Sequence, residues 1–215
     1  PPHYHWLIVH DASRTFIPET SVQPNDLPRS KESSAAAQAA VLIASHRMSR
    51  DRAVETVVRS TGVRPTDAAV ASELRRWFAC FDPEGHKALL DKKRLAALSV
   101  LSSLSDWSPL LTGSVLAGDA VEDDPVRILI RSDDEKAVEL ALLAMDVEYE
   151  PVESSERGRS FRTVLQTECR GEDVLITVTN SHRAAKPVPP DEWQLPEEAL
   201  CGLSEKGLRR LLGVD

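Results

Sequence analysis

Cysteine is scarce in this chain. Cys80, Cys169 and Cys201 are the only ones, odd in number, far apart and never spaced as C-x-x-C. That excludes a disulfide framework or a cysteine-based zinc site and reads as free thiols in a reducing compartment. Aromatic residues make up only 5% of the sequence. The core must therefore rest on Leu, Val, Ile and Ala, and an alanine-rich core implies closely packed helices. Long apolar runs are absent: the longest, near Leu140 to Met145, is far too short to cross a bilayer. The opening PPHYHWLIVHDAS has neither the basic start nor the long apolar stretch of a signal peptide. The expected location is the cytoplasm, with no membrane partner. Positive charge is also in deficit, with a formal net charge of −8. Such a chain repels a phosphate backbone, which argues against nucleic acid as a general partner.

What is present is an ordinary globular composition over 215 residues. Residues 1–34 read as a poorly ordered or extended segment, since PETSVQPNDLPRSKESS is rich in proline and small polar residues. Residues 35–105 read as a helical region. Ala35 to His46 is one helix. Ser49 and Gly62 bracket a second, and Thr66 caps a third whose apolar residues Val70, Leu74, Trp77, Phe78 and Phe81 form one stripe. Asp82-Pro83 opens a fourth, expected to bury Leu90, Ala97, Leu101 and Leu104 and to expose Lys92 and Lys93.

Residues 106–215 change pattern. Pro109 to Val115 and Val126 to Ile130 read as strands. Ser132 to Glu135 matches a capping box before a helix that runs to about Met145. Val147 to Val152, Thr163 to Glu168 and Val174 to Thr179 read as further strands, with SSERGRS as a polar turn. Ser204 caps a last short helix. The fold class expected is α+β.

The segment LLTGSVLAGDAVEDDPVRILI holds the motif that carries chemistry. Together with the order strand, Gly-Ser turn, strand, helix and three strands, it resembles the nucleotidyltransferase palm of the DNA polymerase β type. With VLIASHRMSRDRAVETVVRSTGV and VRILIRSDDEKAVELALLAMDVEYE added, Ala35 to Val178 is similar to a group of small proteobacterial predicted nucleotidyltransferases. Some of that group carry the label UDP-N-acetylmuramate–alanine ligase. The resemblance implies a mixed sheet, a nucleotide bound at Gly113 and Ser114, and two magnesium ions held by paired acids on the next strand. Glycine there allows close approach to a triphosphate, and acids two residues apart on a strand share a face.

In register, those acid positions fall on Pro125 and Arg127. The later strand Val174 to Val178 supplies no third acid; Asp173 stands at its edge. Asp119, Asp123 and Asp124 are the remaining candidates for metal ligation, with Asp123 and Asp124 also the candidates for catalysis. The plainer reading of these acids is a solvated connecting loop. No glycine loop of the ATP-binding type supports the ligase label. The expectation is a nucleotidyltransferase-like protein without two-metal catalysis that binds a nucleotide or a protein partner. The alternatives are an active, divergent enzyme using magnesium and a nucleoside triphosphate, and a helical nucleic-acid-binding module on an inert palm.

Three other groupings invite functional readings. His3, His5 and His10 suggest a metal site, but no acid or cysteine completes a set. Arg47, Arg50, Arg52, Arg59 and Arg64 flank two short helices and suggest a helix–turn–helix, against the plainer reading of a solvated basic face. Ser114 is not in a G-x-S-x-G nucleophile elbow, and neither His86 nor His182 has a placed acid to complete a triad.

Overall fold

A computed structural model describes residues 30–157, 160–180, 186–187 and 201–214. The three N-terminal histidines and His182 lie outside the described residues. The fold is α+β: a helical N-terminal region followed by a mixed five-stranded sheet.

The first helix, α1 (Lys31–His46), starts four residues before the alanine run, because the Ser30 hydroxyl accepts the Ser33 N–H at 3.1 Å. Its buried residues Ala35, Ala36, Ala39 and Ala40 make a stripe of small side chains that lets α3 (Asp67–Phe81) approach closely, and the larger Ile43 is buried one turn on. Between them, α2 (Arg50–Thr61) buries Ala53, Val54 and Val57 and stops at Gly62, whose φ of +70° is left-handed. Thr66 caps α3 as expected. The α3 stripe is shorter than its spacing suggests. Val70, Leu74 and Phe78 are buried, but Phe81 is 71% exposed and lies against the half-buried Trp77, with ring centroids 5.1 Å apart. Phe81 is the last helical residue and extends beyond the packed part of the bundle.

Asp82 accepts the Gly85 N–H at 3.1 Å and opens α4 (Pro83–Ser103). This helix packs on the sheet, burying Leu90, Ala97 and Leu101 beside Leu104. Lys92 is exposed, as expected, but Lys93 is only 2% exposed. Lys93 falls three residues after Leu90 and four before Ala97, so its backbone position is on the buried stripe.

The sheet order is β1 (Leu110–Thr112), β2 (Val126–Arg131), β5 (Glu172–Thr179), β4 (Ser160–Cys169), β3 (Glu150–Arg157). Only β2 and β5 run parallel; the other neighbours are antiparallel. A parallel pair needs a crossover, and α6 (Glu135–Ala144) lies on it. Alternation puts Val126, Ile128, Ile130, Val174, Ile176 and Val178 on the covered face. Burying each such side chain contributes about 1.5–3 kcal/mol.

Three local expectations change. The strand expected from Pro109 to Val115 ends at Thr112, because Gly113 turns left-handed (φ +74°) and begins α5 (Gly113–Ala117). Asp134, not Ser132, caps α6, accepting the Lys136 and Ala137 N–H groups. The polar SSERGRS stretch largely continues β3 and β4, whose ladder runs out to Arg157 and Ser160. Pairing along this ladder satisfies the backbone N–H and C=O groups of a polar segment. The two-residue ribbon β6 (Lys186–Pro187) and β7 (Cys201–Gly202) leads to α7 (Glu205–Leu212), capped by Ser204 and held to α4 by the Ser102 hydroxyl on Glu205 at 2.7 Å. Among the described residues, no helix is long and apolar enough to cross a membrane.

Candidate functional site

The loop from Gly118 to Pro125 joins α5 to β2, and cationic or polar side chains from α2 and α4 hold it in place. Arg50, the first residue of α2, aims one terminal nitrogen, Nη2, at three oxygens. These are the Asp119 carbonyl at 2.7 Å, Asp119 Oδ2 at 2.8 Å and Asp124 Oδ2 at 3.2 Å. Asp124 Oδ2 also accepts the Val121 N–H at 3.1 Å. On the other side, Lys93 Nζ donates to the Glu122 and Asp124 carbonyls, both at 2.8 Å, and to Glu172 Oε2 at 2.6 Å. Lys92 takes the other Glu172 oxygen at 2.5 Å. His86 stacks on Phe78 with centroids 3.9 Å apart and reaches the Ala120 carbonyl at 3.0 Å. A carbonyl only accepts, so His86 Nε2 carries the proton.

These placements decide what the acids of the loop can do. Asp119 is 2% exposed, so the reading of a fully solvated loop does not hold for it. Burial pushes its carboxyl above the ordinary range, and the Arg50 charge opposes this only in part. Asp119 Oδ1 is buried with no hydrogen-bond partner among the described residues. Asp124 is half-buried and turned toward Arg50, whereas its neighbour Asp123 is exposed. The structure thus brings Asp119 and Asp124 together on an arginine and leaves Asp123 apart. Burial raises the Glu172 carboxyl, but the hydrogen bonds and charges of Lys92 and Lys93 outweigh it and hold the group below its ordinary range. Burial likewise lowers the His86 imidazole, leaving it neutral around pH 7.

Gly113 and Ser114 stand at the end of β1. Thr112 pairs with Arg127 on β2, and Arg127 pairs with Leu175 on β5. None of the three residues in this row is a carboxylate. The Arg127 stem passes directly over Gly113: a Cβ on residue 113 would lie 2.9 Å from Arg127 Cδ. Ser114 is half-buried, and its carbonyl accepts the Gly118 and Asp119 N–H groups at 2.8 and 3.1 Å.

A cavity of about 710 Å³ opens between the helical region and this loop. Arg47, Arg50 and Arg127 line it, with Asp51, Glu122 and Asp123. Arg50 is committed to Asp119 and Asp124; the guanidinium groups of Arg47 and Arg127 make no ion pair among the described residues. The first turn of α2 also borders the cavity. Ser49 occupies the N-cap position without a side-chain cap bond, so the first N–H groups of α2 lack that partner.

Strand periodicity put Arg127 on β2, where the structure has it. Lys93 and His86 were not singled out as holding the loop, although Lys93 announced itself by its place on the apolar stripe. Arg50 stood in the basic list, but nothing local distinguishes it from Arg47 or Arg52. No family model matches the chain, and no curated protein or solved structure matches it either.

Proposed function

We propose that the chain is a nucleotidyltransferase-like palm that has given up two-metal catalysis and binds a nucleotide in the cleft between its helical region and its sheet. The observation that carries this reading is Arg127. Its guanidinium borders the cleft, its residue is exposed, and it makes no ion pair among the described residues. Two-metal transfer requires carboxylates that hold both ions in line with the reacting oxygens. A fixed arginine instead supplies positive charge directly to phosphate oxygens, often through two parallel hydrogen bonds. Arg47 and the α2 N-terminus add to the same wall. The antiparallel β1–β2 pair, the parallel β2–β5 pair and the Gly-Ser turn between β1 and β2 support the palm reading.

The test is titration calorimetry with ATP, CTP and UTP, in magnesium and in EDTA. The expected result is binding of at least one nucleotide that persists in EDTA. Binding that appears only with magnesium would favour a working metal site instead.

A further inference from the structure

Four oxygens gather where Arg50 enters the cleft. Three lie within 3.2 Å of Arg50 Nη2: the Asp119 carbonyl, Asp119 Oδ2 and Asp124 Oδ2. The fourth, Asp119 Oδ1, is buried and unpartnered among the described residues. All are hard donors, and two carboxylates contribute. Magnesium, calcium and manganese take that chemistry. No group of three His, Cys, Asp or Glu side chains gathers for a metal among the described residues, so an ion here would rest on two carboxylates and the Asp119 carbonyl and fill its remaining positions with water. The guanidinium brings one positive charge to two carboxylates, where a divalent ion brings two.

The cage is also held from outside. Lys93 grips the Glu122 and Asp124 carbonyls, and His86 grips the Ala120 carbonyl. Removing Arg50 therefore leaves the loop anchored. The Arg50 side chain is 30% exposed and borders the cleft, so it has room to turn away.

We propose that Asp119 and Asp124 form a site for one hard divalent cation, kept closed by Arg50 as a built-in substitute for the ion. The ion enters when Arg50 swings into the cleft. Oxygen contacts of 2.7–3.2 Å to nitrogen then contract toward metal–oxygen lengths of about 2.0–2.6 Å, with the Asp124 carboxylate moving farthest. The inference goes beyond nucleotide binding and does not depend on it, since the ion alone is the probe.

The test titrates Mn²⁺ into the full chain by calorimetry, with electron paramagnetic resonance counting the free ion. The chains compared are the original, Arg50→Ala, Arg50→Gln, and each variant combined with Asp119→Asn. Both Arg50 variants should bind one Mn²⁺ about tenfold or more tightly than the original chain, and Asp119→Asn should abolish the gain. Equal affinity in the original chain and both variants would overturn the proposal, as would a gain that survives Asp119→Asn. If the Arg50 variants are unfolded in EDTA, recovery of helical circular dichroism with Mn²⁺, but not with sodium of equal ionic strength, supports the site. No recovery counts against it.

Discussion

Arg50 Nη2 and Asp119 Oδ2 lie 2.8 Å apart, linking the first turn of α2 to the loop that precedes β2 across 69 residues of sequence. Asp119 has almost no contact with solvent, so Arg50 is its main source of compensation. In metal-free buffer, Arg50→Ala should lower stability by about 2–3 kcal/mol, less than a fully buried pair because Arg50 is partly exposed. Arg50→Ala combined with Asp119→Ala should cost less than the sum of the single changes, with a coupling of about 1 kcal/mol or more. Urea unfolding of the four chains measures this. The penalty has a pH sign. Because burial raises the folded Asp119 carboxyl, the unfolded chain ionises first as pH rises. The loss in Arg50→Ala should therefore be largest at neutral pH and shrink toward pH 4.

Lys93 should be the more sensitive of the adjacent lysines. Lys93→Met keeps the stem packed on α4 but leaves two loop carbonyls and one Glu172 oxygen without their donor. The expected loss is about 3 kcal/mol. Lys92→Met removes an exposed partner only, and should cost under about 1 kcal/mol. Thermal and urea denaturation of the two variants gives the comparison.

Acid should weaken the fold through His86. Burial lowers the imidazole in the folded chain, and Asp82, Asp119 and the Ala120 carbonyl offset this only partly. A depressed folded value contributes stability above the ordinary histidine value of about 6.5, and that stability is lost as pH falls below it. Stability should therefore drop between pH 7.5 and 5.5. His86→Phe keeps a ring against Phe78 and cannot take a proton, so its drop over the same interval should be smaller. Urea midpoints at the two pH values report the difference.

Gly113→Ala combines two faults at one position. Its φ of +74° disfavours a side chain, and the new methyl would meet the Arg127 stem at 2.9 Å. A loss of about 1–2 kcal/mol is expected, with weaker nucleotide binding because Arg127 must shift. Gly62→Ala provides the comparison: its φ is similar but no atom lies within 4 Å, so it should lose stability without loss of binding.

Much of this fold was legible locally. Thr66, Asp82 and Gly62 stand where caps belong, since capping depends on groups three or four residues away. The apolar alternation of Val126 to Ile130 marks a strand, and Arg127 lies in it, paired with Thr112 and Leu175. The α5 turn was missed because Val115, Leu116 and Ala117 form a short apolar run that suits strand or helix; Gly113 decides it through a backbone angle. Lys93 was read by residue type rather than by position on its helix. The roles of Arg50, His86 and Glu172 rest on partners 34 to 79 residues away, which no local pattern encodes.

The central claim is that arginine charge, rather than metal, receives a nucleotide in the cleft that Arg47 and Arg127 line. Its most direct measurement is calorimetric titration in EDTA of the original chain, Arg127→Lys and Arg127→Leu, using whichever of ATP, CTP or UTP binds. The account predicts that Arg127→Leu loses about tenfold or more in affinity, with Arg127→Lys between the two, while all three chains stay folded. Equal affinity in all three would contradict it, as would an original chain that binds none of the three nucleotides.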